Sequence, residues 1–435
     1  MPRPLTSPKK ALRAWVVDVS MGYGHQRTAY PLRDLAPDGV VLNANDYAGM
    51  PASDRSTWAE GRAFYEFVSK TERLPVLGRL IFGAFDRFQR IIDFYPRRSH
   101  SEPTLQLRQN FRLIRRGWGE DLIRRLAKNP LPLVTTFFTV AYMAEFFNYP
   151  GDIYCAVCDT DISRTWAPPD AAASRIRYFA PTAHAAERLA RYGVRPENIF
   201  LTGYPLPKEN LGSAKGTIAR RDLAHRIANL DPRGVYRAGY GRVVRQYAGV
   251  IPRRADHPLT VMFAIGGAGA QRNIALAAAG AFEPKIRAQT IRFRIAVGSR
   301  KETRDLVRAG LIKLGLEKNV ELIGAKTTTE YFSAFNEALR ETDILWTKPS
   351  ELSFYAGLGI PIIIAPPLGS QEDFNKDWLM TIGAGMPQKD PRYVDQWLFD
   401  YLEAGWFAEA ALQGFIGVEK AGAYHIEQIV KNHAP

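Results

Sequence analysis

Short, unbroken apolar runs alternate with segments of helical periodicity, and they do so in two separate blocks. In the first block Trp15–Val19, Val40–Asn43, Leu133–Phe138, Ile153–Val157, Arg177–Phe179 and Ile199–Thr202 read as strands. Between them lie the helical patterns Gln26–Leu35, Val140–Asn148 and Ala183–Tyr192, and a long basic, aromatic-rich region from Thr57 to Lys128. The second block gives strands at Thr260–Ile265, Arg292–Val297, Val320–Ile323, Asp343–Trp346 and Pro361–Ala365. Its helical patterns are Gln271–Phe282, Glu302–Leu314 and Thr329–Glu341, with others starting near Glu351 and Glu372. A strand that is apolar throughout has both faces covered, and a helix between successive strands is the crossover that parallel pairing needs. The pattern therefore predicts an α/β protein of two Rossmann-like domains, residues 1–205 and 256–415. A basic segment, 206–255, joins them and a helix, 416–435, ends the chain. A length of 435 residues suffices for two separate cores.

Composition narrows the classes. With 46% hydrophobic and 23% charged residues the chain is not disordered. Its two cysteines, Cys155 and Cys158, exclude a disulfide scaffold and fit a reducing compartment. No second cysteine pair or neighbouring histidine completes a zinc site, and positions i and i+3 of a strand face opposite ways, so both read as small core residues. The first apolar run is interrupted by Asp18 and is too short for a signal core. The stretch Leu131–Tyr149 carries too many polar residues to span a bilayer and reads as a buried strand and helix. A soluble or peripheral, cytoplasmic protein is expected. The net charge of +14 is concentrated in residues 70–130 and 213–255, each at +8. Two such blocks suggest faces for an anionic partner, lipid head groups or nucleic acid; solvated arginine-rich helices are the plainer reading.

Ligands of open parallel sheets sit beyond the carboxyl ends of the strands, so the strand-to-helix loops carry the functional reading. Gly266-Gly267-Ala268-Gly269 follows a strand and opens a helix, with Arg272 in its first turn. Backbone amides, a helix N-terminus and a guanidinium suit a phosphate, although the loop is neither a dinucleotide fingerprint nor a Walker loop, and a tight turn is the alternative. Gly22-Tyr23-Gly24-His25 places a histidine at the edge of the first sheet, as a general base or as a structural turn residue. Asp159 and Asp161 end another strand, where they can hold an acceptor hydroxyl, orient His25 or simply form a turn. Lys348, Ser350 and Glu351 follow one strand of the second block, and Gln371 and Glu372 the next. Such side chains read ribose and sugar hydroxyls, or cap helices. Beside a glycine loop they point to a nucleotide-sugar site.

Taken together, these loops resemble those of the monogalactosyldiacylglycerol synthases and processive diacylglycerol glucosyltransferases. Gly22-x-Gly24-His25 looks like that family's histidine loop. Thr165-Trp166, Arg177–Thr182, Tyr192-Gly193-Val194 and Ile199–Pro205 are similar to the end of its N-terminal domain. Thr347-Lys348-Pro349 and Gly369-x-Gln371-Glu372-x-x-Asn375 resemble its two C-terminal motifs, and the match runs in order over residues 14–380. The resemblance implies the GT-B fold, a nucleotide-sugar donor, usually UDP-linked, on the C-terminal domain, and an acceptor, often a lipid, on the N-terminal domain. It places His25 on the base and Gln371 and Glu372 on the donor sugar. It further implies inverting transfer with neither metal nor cofactor, the departing diphosphate resting on the amides of Gly267–Ala270 with Arg272 and Lys348. The aromatic residues Trp58, Phe64, Phe67, Phe82, Phe85 and Trp118 would then lie against anionic lipid. The sequence departs from the family where Ser350-Glu351 replaces two glycines, where Phe354 takes the place of a ribose-binding acid (Glu351 is the candidate replacement), at Pro31, and at Ser163-Arg164. Rival readings are a sugar-nucleotide epimerase of similar build, a non-catalytic binding protein of the same fold, and nucleic-acid binding, for which no recognised module is present and which is not expected.

Overall fold

The computed structural model describes residues 13–71, 91, 93–96, 100–266, 269, 271–367 and 370–432. In the first domain β1 (Trp15–Asp18) leads into α1 (Tyr23–Ala29), then β2 (Leu42–Asn43), α2 (Ala52–Thr71), α3 (Leu105–Arg115) and α4 (Glu120–Ala127). There follow β3 (Leu133–Thr135), α5 (Phe138–Phe146), β4 (Ile153–Ala156), β5 (Arg177–Ala180), α6 (Ala183–Arg191) and β6 (Ile199–Leu201). The chain continues through α7 (Thr217–Leu230) and α8 (Val235–Ala248) into β7 (Thr260–Ala264), α9 (Arg272–Ala281), β8 (Arg292–Gly298), α10 (Lys301–Lys313), β9 (Glu321–Gly324) and α11 (Thr328–Leu339). Strand β10 (Ile344–Thr347), a 3-10 stretch (Glu351–Leu358), β11 (Ile362–Ile364), α12 (Ser370–Thr381), β12 (Gly385–Pro387), α13 (Val394–Glu403), α14 (Trp406–Gly417) and α15 (Gly422–Asn432) complete it.

Two six-stranded sheets result, ordered β2-β1-β3-β4-β5-β6 and β12-β11-β10-β7-β8-β9, and every strand pair is parallel. This is the two-domain, Rossmann-like GT-B arrangement. Both cysteines are buried and free. The apolar stretch before residue 150 is β3 and α5; seven of the helix's residues, Phe138 to Ala144, are buried inside the first domain. Among the described residues no helix is long and apolar enough to cross a membrane.

Three local expectations change. The helix expected over Gln26–Leu35 is α1 followed by a 3-10 turn, Tyr30–Leu35. Pro31 lacks an amide hydrogen and its ring crowds the carbonyl one turn back, so the α-helix stops before it. The basic segment 206–255 does not merely join the domains. Leu223, Ile227, Leu230, Tyr236 and Val244 of α7 and α8 are part of the second domain's core. Arg226, fully buried, spends its charge on the carbonyl oxygens of Leu339, Thr342 and Leu358 at 2.7–2.8 Å. Finally, α15 returns to the first domain, where Ala423, Ile426 and Val430 pack with Ala14, Val16 and Ala29. The chain thus crosses between domains twice, and the two crossings touch: a Cβ on Gly422 would lie 2.4 Å from the carbonyl oxygens of Gly203 and Tyr204. Only glycine permits that approach.

Candidate functional site

Strand order reverses between β1 and β3 in the first sheet and between β7 and β10 in the second. At such a point neighbouring crossovers go to opposite faces and leave a crevice at the carboxyl ends. The loops singled out in the sequence fall there. Gly22–His25 follows β1, Gly266, Gly269 and Gln271 follow β7, and Thr347–Glu351 ends β10 and begins the loop beyond it.

His25 sits in the first turn of α1. Its Nδ1 lies 2.7 Å from the carbonyl oxygen of Thr136, the residue after β3. A carbonyl only accepts, so Nδ1 carries the hydrogen and Nε2 keeps its lone pair. Phe137 meets the ring edge-on at 4.9 Å, and Trp166 lies beyond it at 6.3 Å. Desolvation pushes the imidazolium down to about 4, against a smaller opposing effect of the Thr136 bond. The ring is neutral at physiological pH. Its loop is propped by groups that sequence reasoning missed. Asn43 donates to both Asp18 Oδ1 (2.7 Å) and Ser20 Oγ (2.9 Å), and Asn45 Oδ1 accepts from the Ser20 amide at 2.9 Å. The signal lay in the Asn-Ala-Asn that begins with the last residue of β2, which reads as turn chemistry until the β1–β2 pairing is known.

Asp159 faces the second domain. Its carboxylate accepts from Gln371 Nε2 at 2.9 Å and from Asn375 Nδ2 at 3.2 Å. Burial raises this acid to about 6; the Asn375 bond opposes that, and the charges of Glu351 and Glu372 add to it. Asn375, fully buried, is a hub: its Oδ1 accepts from the amide (3.0 Å) and hydroxyl (2.7 Å) of Thr160, while its Nδ2 also reaches the Pro349 carbonyl at 3.3 Å. Asp161, two residues on, takes no part. Arg188 holds it at 2.8 and 2.6 Å and His184 at 2.9 Å; despite its burial these partners keep it below the ordinary carboxylate range. Its role is a buried ion pair within the first domain.

Lys348 crosses the glycine loop, its Cε only 3.0 Å from where a Cβ on Gly266 would be, and its ammonium is paired with Glu372. Gly269 is buried with φ +67°, against Thr303, and Arg272 opens α9 half-exposed. Gly267, Ala268 and Ala270 lie outside the described residues, as does Gly369 and most of the aromatic region that holds Phe82 and Phe85. Trp58 and Trp118, expected against lipid, instead meet edge-on at 4.7 Å, and Trp58 is buried. Ser350 makes no side-chain cap. Glu351 is not open to a ribose: it is buried against Arg27 of α1, 3.2 Å from its Nε. That guanidinium is packed over the rings of Phe332 (4.5 Å) and Phe335 (4.2 Å) and donates to Tyr331 Oη. Nearby, Tyr23 Oη accepts from the Ser299 amide at 2.9 Å. Gly298, at φ +78°, makes room for it, since a Cβ would lie 2.6 Å from that oxygen. Among the described residues no group of three or more His, Cys, Asp or Glu side chains could hold a metal. A separate concavity of about 520 Å³, lined in part by Met380, Met386, Trp406 and Glu409, lies at the β12 edge of the second sheet.

The crevice therefore joins a neutral imidazole whose Nε2 keeps its lone pair, a partly protonatable carboxylate, two side-chain amides and a lysine–glutamate pair beside a glycine loop. No protein-family model matches the chain, nor does any curated protein. Among solved structures it is similar to the UDP-GlcNAc 2-epimerase of Methanocaldococcus jannaschii in complex with UDP-GlcNAc and UDP, at 12% identity over 97% of this chain and 100% of that one, TM-score 0.45. It is similar to Anabaena HepE in complex with UDP and glucose, at 12% identity over 97% of this chain and 99% of that one, TM-score 0.45. A glycosyltransferase from Rickettsia africae is similar at 11% identity over 97% of this chain and 98% of that one, TM-score 0.41.

Proposed function

We propose that the protein is a glycosyltransferase that moves a sugar from a nucleotide-sugar donor, UDP-linked, to an acceptor hydroxyl. One observation carries this reading. His25, held as its Nδ1–H form by the Thr136 carbonyl and with Nε2 left unprotonated, lies against Cys158, the residue next to the Asp159 that meets Gln371 and Asn375 of the other domain. In the reaction the acceptor oxygen forms its bond to the anomeric carbon as its proton passes to Nε2. The bond from that carbon to the diphosphate oxygen breaks, with inversion. Gly266 and Gly269, with Arg272 and Lys348, would receive the departing negative charge, and fixed dipoles and cations of this kind stabilise it without reorganising. Gln371 and Glu372 supply contacts to the donor, the buried Asn375 holds their helix on Thr160 and Asp159, and Lys348 exchanges Glu372 for phosphate. The acceptor is a membrane lipid, and the protein works in the cytoplasm at the inner face of the membrane, held there by its basic surfaces.

A second reading, sugar-nucleotide epimerisation, is favoured by one feature. In the crevice burial, with a smaller contribution from the charges of Glu351 and Glu372, raises Asp159 to about 6, so an acid (Asp159) and a base (His25) can both lie near a donor sugar. One experiment separates the two. The purified chain is given a panel of UDP-sugars with and without extracted lipid, and products are followed by NMR and mass spectrometry. Lipid-dependent release of UDP with an inverted glycoside supports transfer. Deuterium entering the sugar from D2O without acceptor makes the chain an epimerase, and no donor consumption or binding under any condition defeats both.

A further inference from the structure

We propose that α8 and the loop after it form the surface by which the protein docks on an anionic lipid bilayer; this rests on the membrane reading above and names the face responsible. The inner side of α8 carries Tyr236, Val244 and Ala248 into the core of the second domain. Its outer side carries Arg242, Val243 and Arg245, and the loop adds Val250, Arg253 and Arg254. Val250 is 87% exposed and Tyr240 is 56% exposed. Between residues 232 and 255 there are six arginines and no acid. Arg233 pairs with Glu403 and Arg237 with Asp231, but Arg242, Arg245, Arg253 and Arg254 have no ion pair among the described residues. A solvated helix of the ordinary kind intersperses both signs of charge and shows few protruding aliphatic side chains. Here exposed apolar groups and guanidinium groups without an ion pair among the described residues alternate along the helix and its loop.

That combination selects among partners. A phosphodiester backbone would satisfy the arginines but gains nothing from Val243 and Val250. A second copy of the same face would set guanidinium against guanidinium. A bilayer of anionic lipid matches both parts, phosphates for the arginines and the head-group boundary for the valines and the tyrosine. The placement on the second domain also leaves the basic stripe of α3, Arg108, Arg112, Arg115 and Arg116, as a separate surface rather than the main anchor.

The test uses the full chain and vesicles of phosphatidylcholine with or without phosphatidylglycerol. The wild type should sediment with the anionic vesicles at low salt and be released at high salt. Joint replacement Arg242→Ser, Arg245→Ser, Arg253→Ser and Arg254→Ser should weaken that binding tenfold or more. Val250→Asp alone should weaken it severalfold, with circular dichroism and UDP-sugar binding unchanged in both. Joint Arg→Ser replacement at positions 108, 112, 115 and 116 should cost less than the α8 set. Failure of the wild type to bind anionic vesicles overturns the membrane reading and this assignment with it. Unimpaired binding by the α8 variants, or loss confined to the α3 set, overturns the assignment alone. Tighter binding to duplex DNA than to vesicles, indifferent to Val250→Asp, replaces lipid by nucleic acid.

Discussion

A histidine serves as a base when its neutral form dominates and one ring nitrogen keeps its lone pair. His25 meets both conditions through one bond to a backbone carbonyl and through burial rather than through a carboxylate partner. Its protonation is suppressed to about 4, so the active, neutral form persists from pH 8 down towards 4 and is lost only as pH falls through that value. We expect His25→Ala to lower turnover about 10²-fold or more while UDP-sugar affinity, measured by calorimetry, is retained. Turnover close to wild type would remove His25 from the chemistry. Asp18, at the end of β1, shows the opposite effect of burial: with only the Asn43 amide as compensation it is raised from 3.8 to about 7. A carboxyl held protonated stabilises the fold below pH 4 and loses that contribution as pH rises through about 7. Asp18→Asn keeps the bond to Asn43 and cannot ionise. Its stability advantage in urea unfolding should be small at pH 4.5 and grow towards pH 8, to at most about 4 kcal/mol.

Two elements hold the halves of the crevice together. From the first domain α1 sends Tyr23 to Ser299, Arg27 to Glu351 and the Tyr331–Phe335 rings, and Thr28 to Tyr204. From the second domain α12 sends Gln371 and Asn375 to the loop after β4. The helix that carries His25 therefore clasps the second domain, and the helix that carries Gln371 and Asn375 fixes Asp159. Asn375→Ala would leave the Thr160 amide and hydroxyl without their acceptor in a buried place. It should destabilise the folded chain by about 2 kcal/mol in denaturant unfolding, and it should raise KM for donor more than it lowers kcat if α12 is also a donor helix. A fall in kcat alone, with KM unchanged, would assign Asn375 to the chemistry instead.

At the scale of the molecule, the domains are not the segments into which the sequence divides. The second core contains α7 and α8, contributed from before residue 256, and the first contains α15 from the far end. A fragment spanning 256–415 lacks Leu223, Ile227, Leu230, Tyr236 and Val244, all of them core residues. Those residues bury most of their side chains, each worth roughly 1.5–3 kcal/mol, which exceeds the whole stability of many domains when summed. The 256–415 fragment should be insoluble or unfolded by circular dichroism, whereas 207–418 should fold. A folded, cooperative 256–415 fragment would mean that α7 and α8 are dispensable to that core.

What the sequence determined by itself was the class of the fold and which loops meet at the crevice. Apolar runs alternating with helical periodicity force buried parallel strands, and the loops at their carboxyl ends follow from the sheet geometry, so the loops of His25, Asp159, Lys348, Gln371 and Glu372 were legible from local pattern, while Asn375 entered through the resemblance. Partnership was not legible. Asp159 and Asp161 sit in one loop, yet one reaches Gln371 and Asn375 more than two hundred residues away and the other is consumed by Arg188. Glu351 looks like a ribose contact until α1 delivers Arg27 to it. The charge blocks likewise counted Arg226, which is buried on carbonyl oxygens, together with Arg253 and Arg254, which face solvent. Periodicity is a property of neighbours along the chain, and it survives in one dimension. Which carboxylate meets which cation depends on how two domains and a returning C-terminal helix close on each other, and only the tertiary structure decides that.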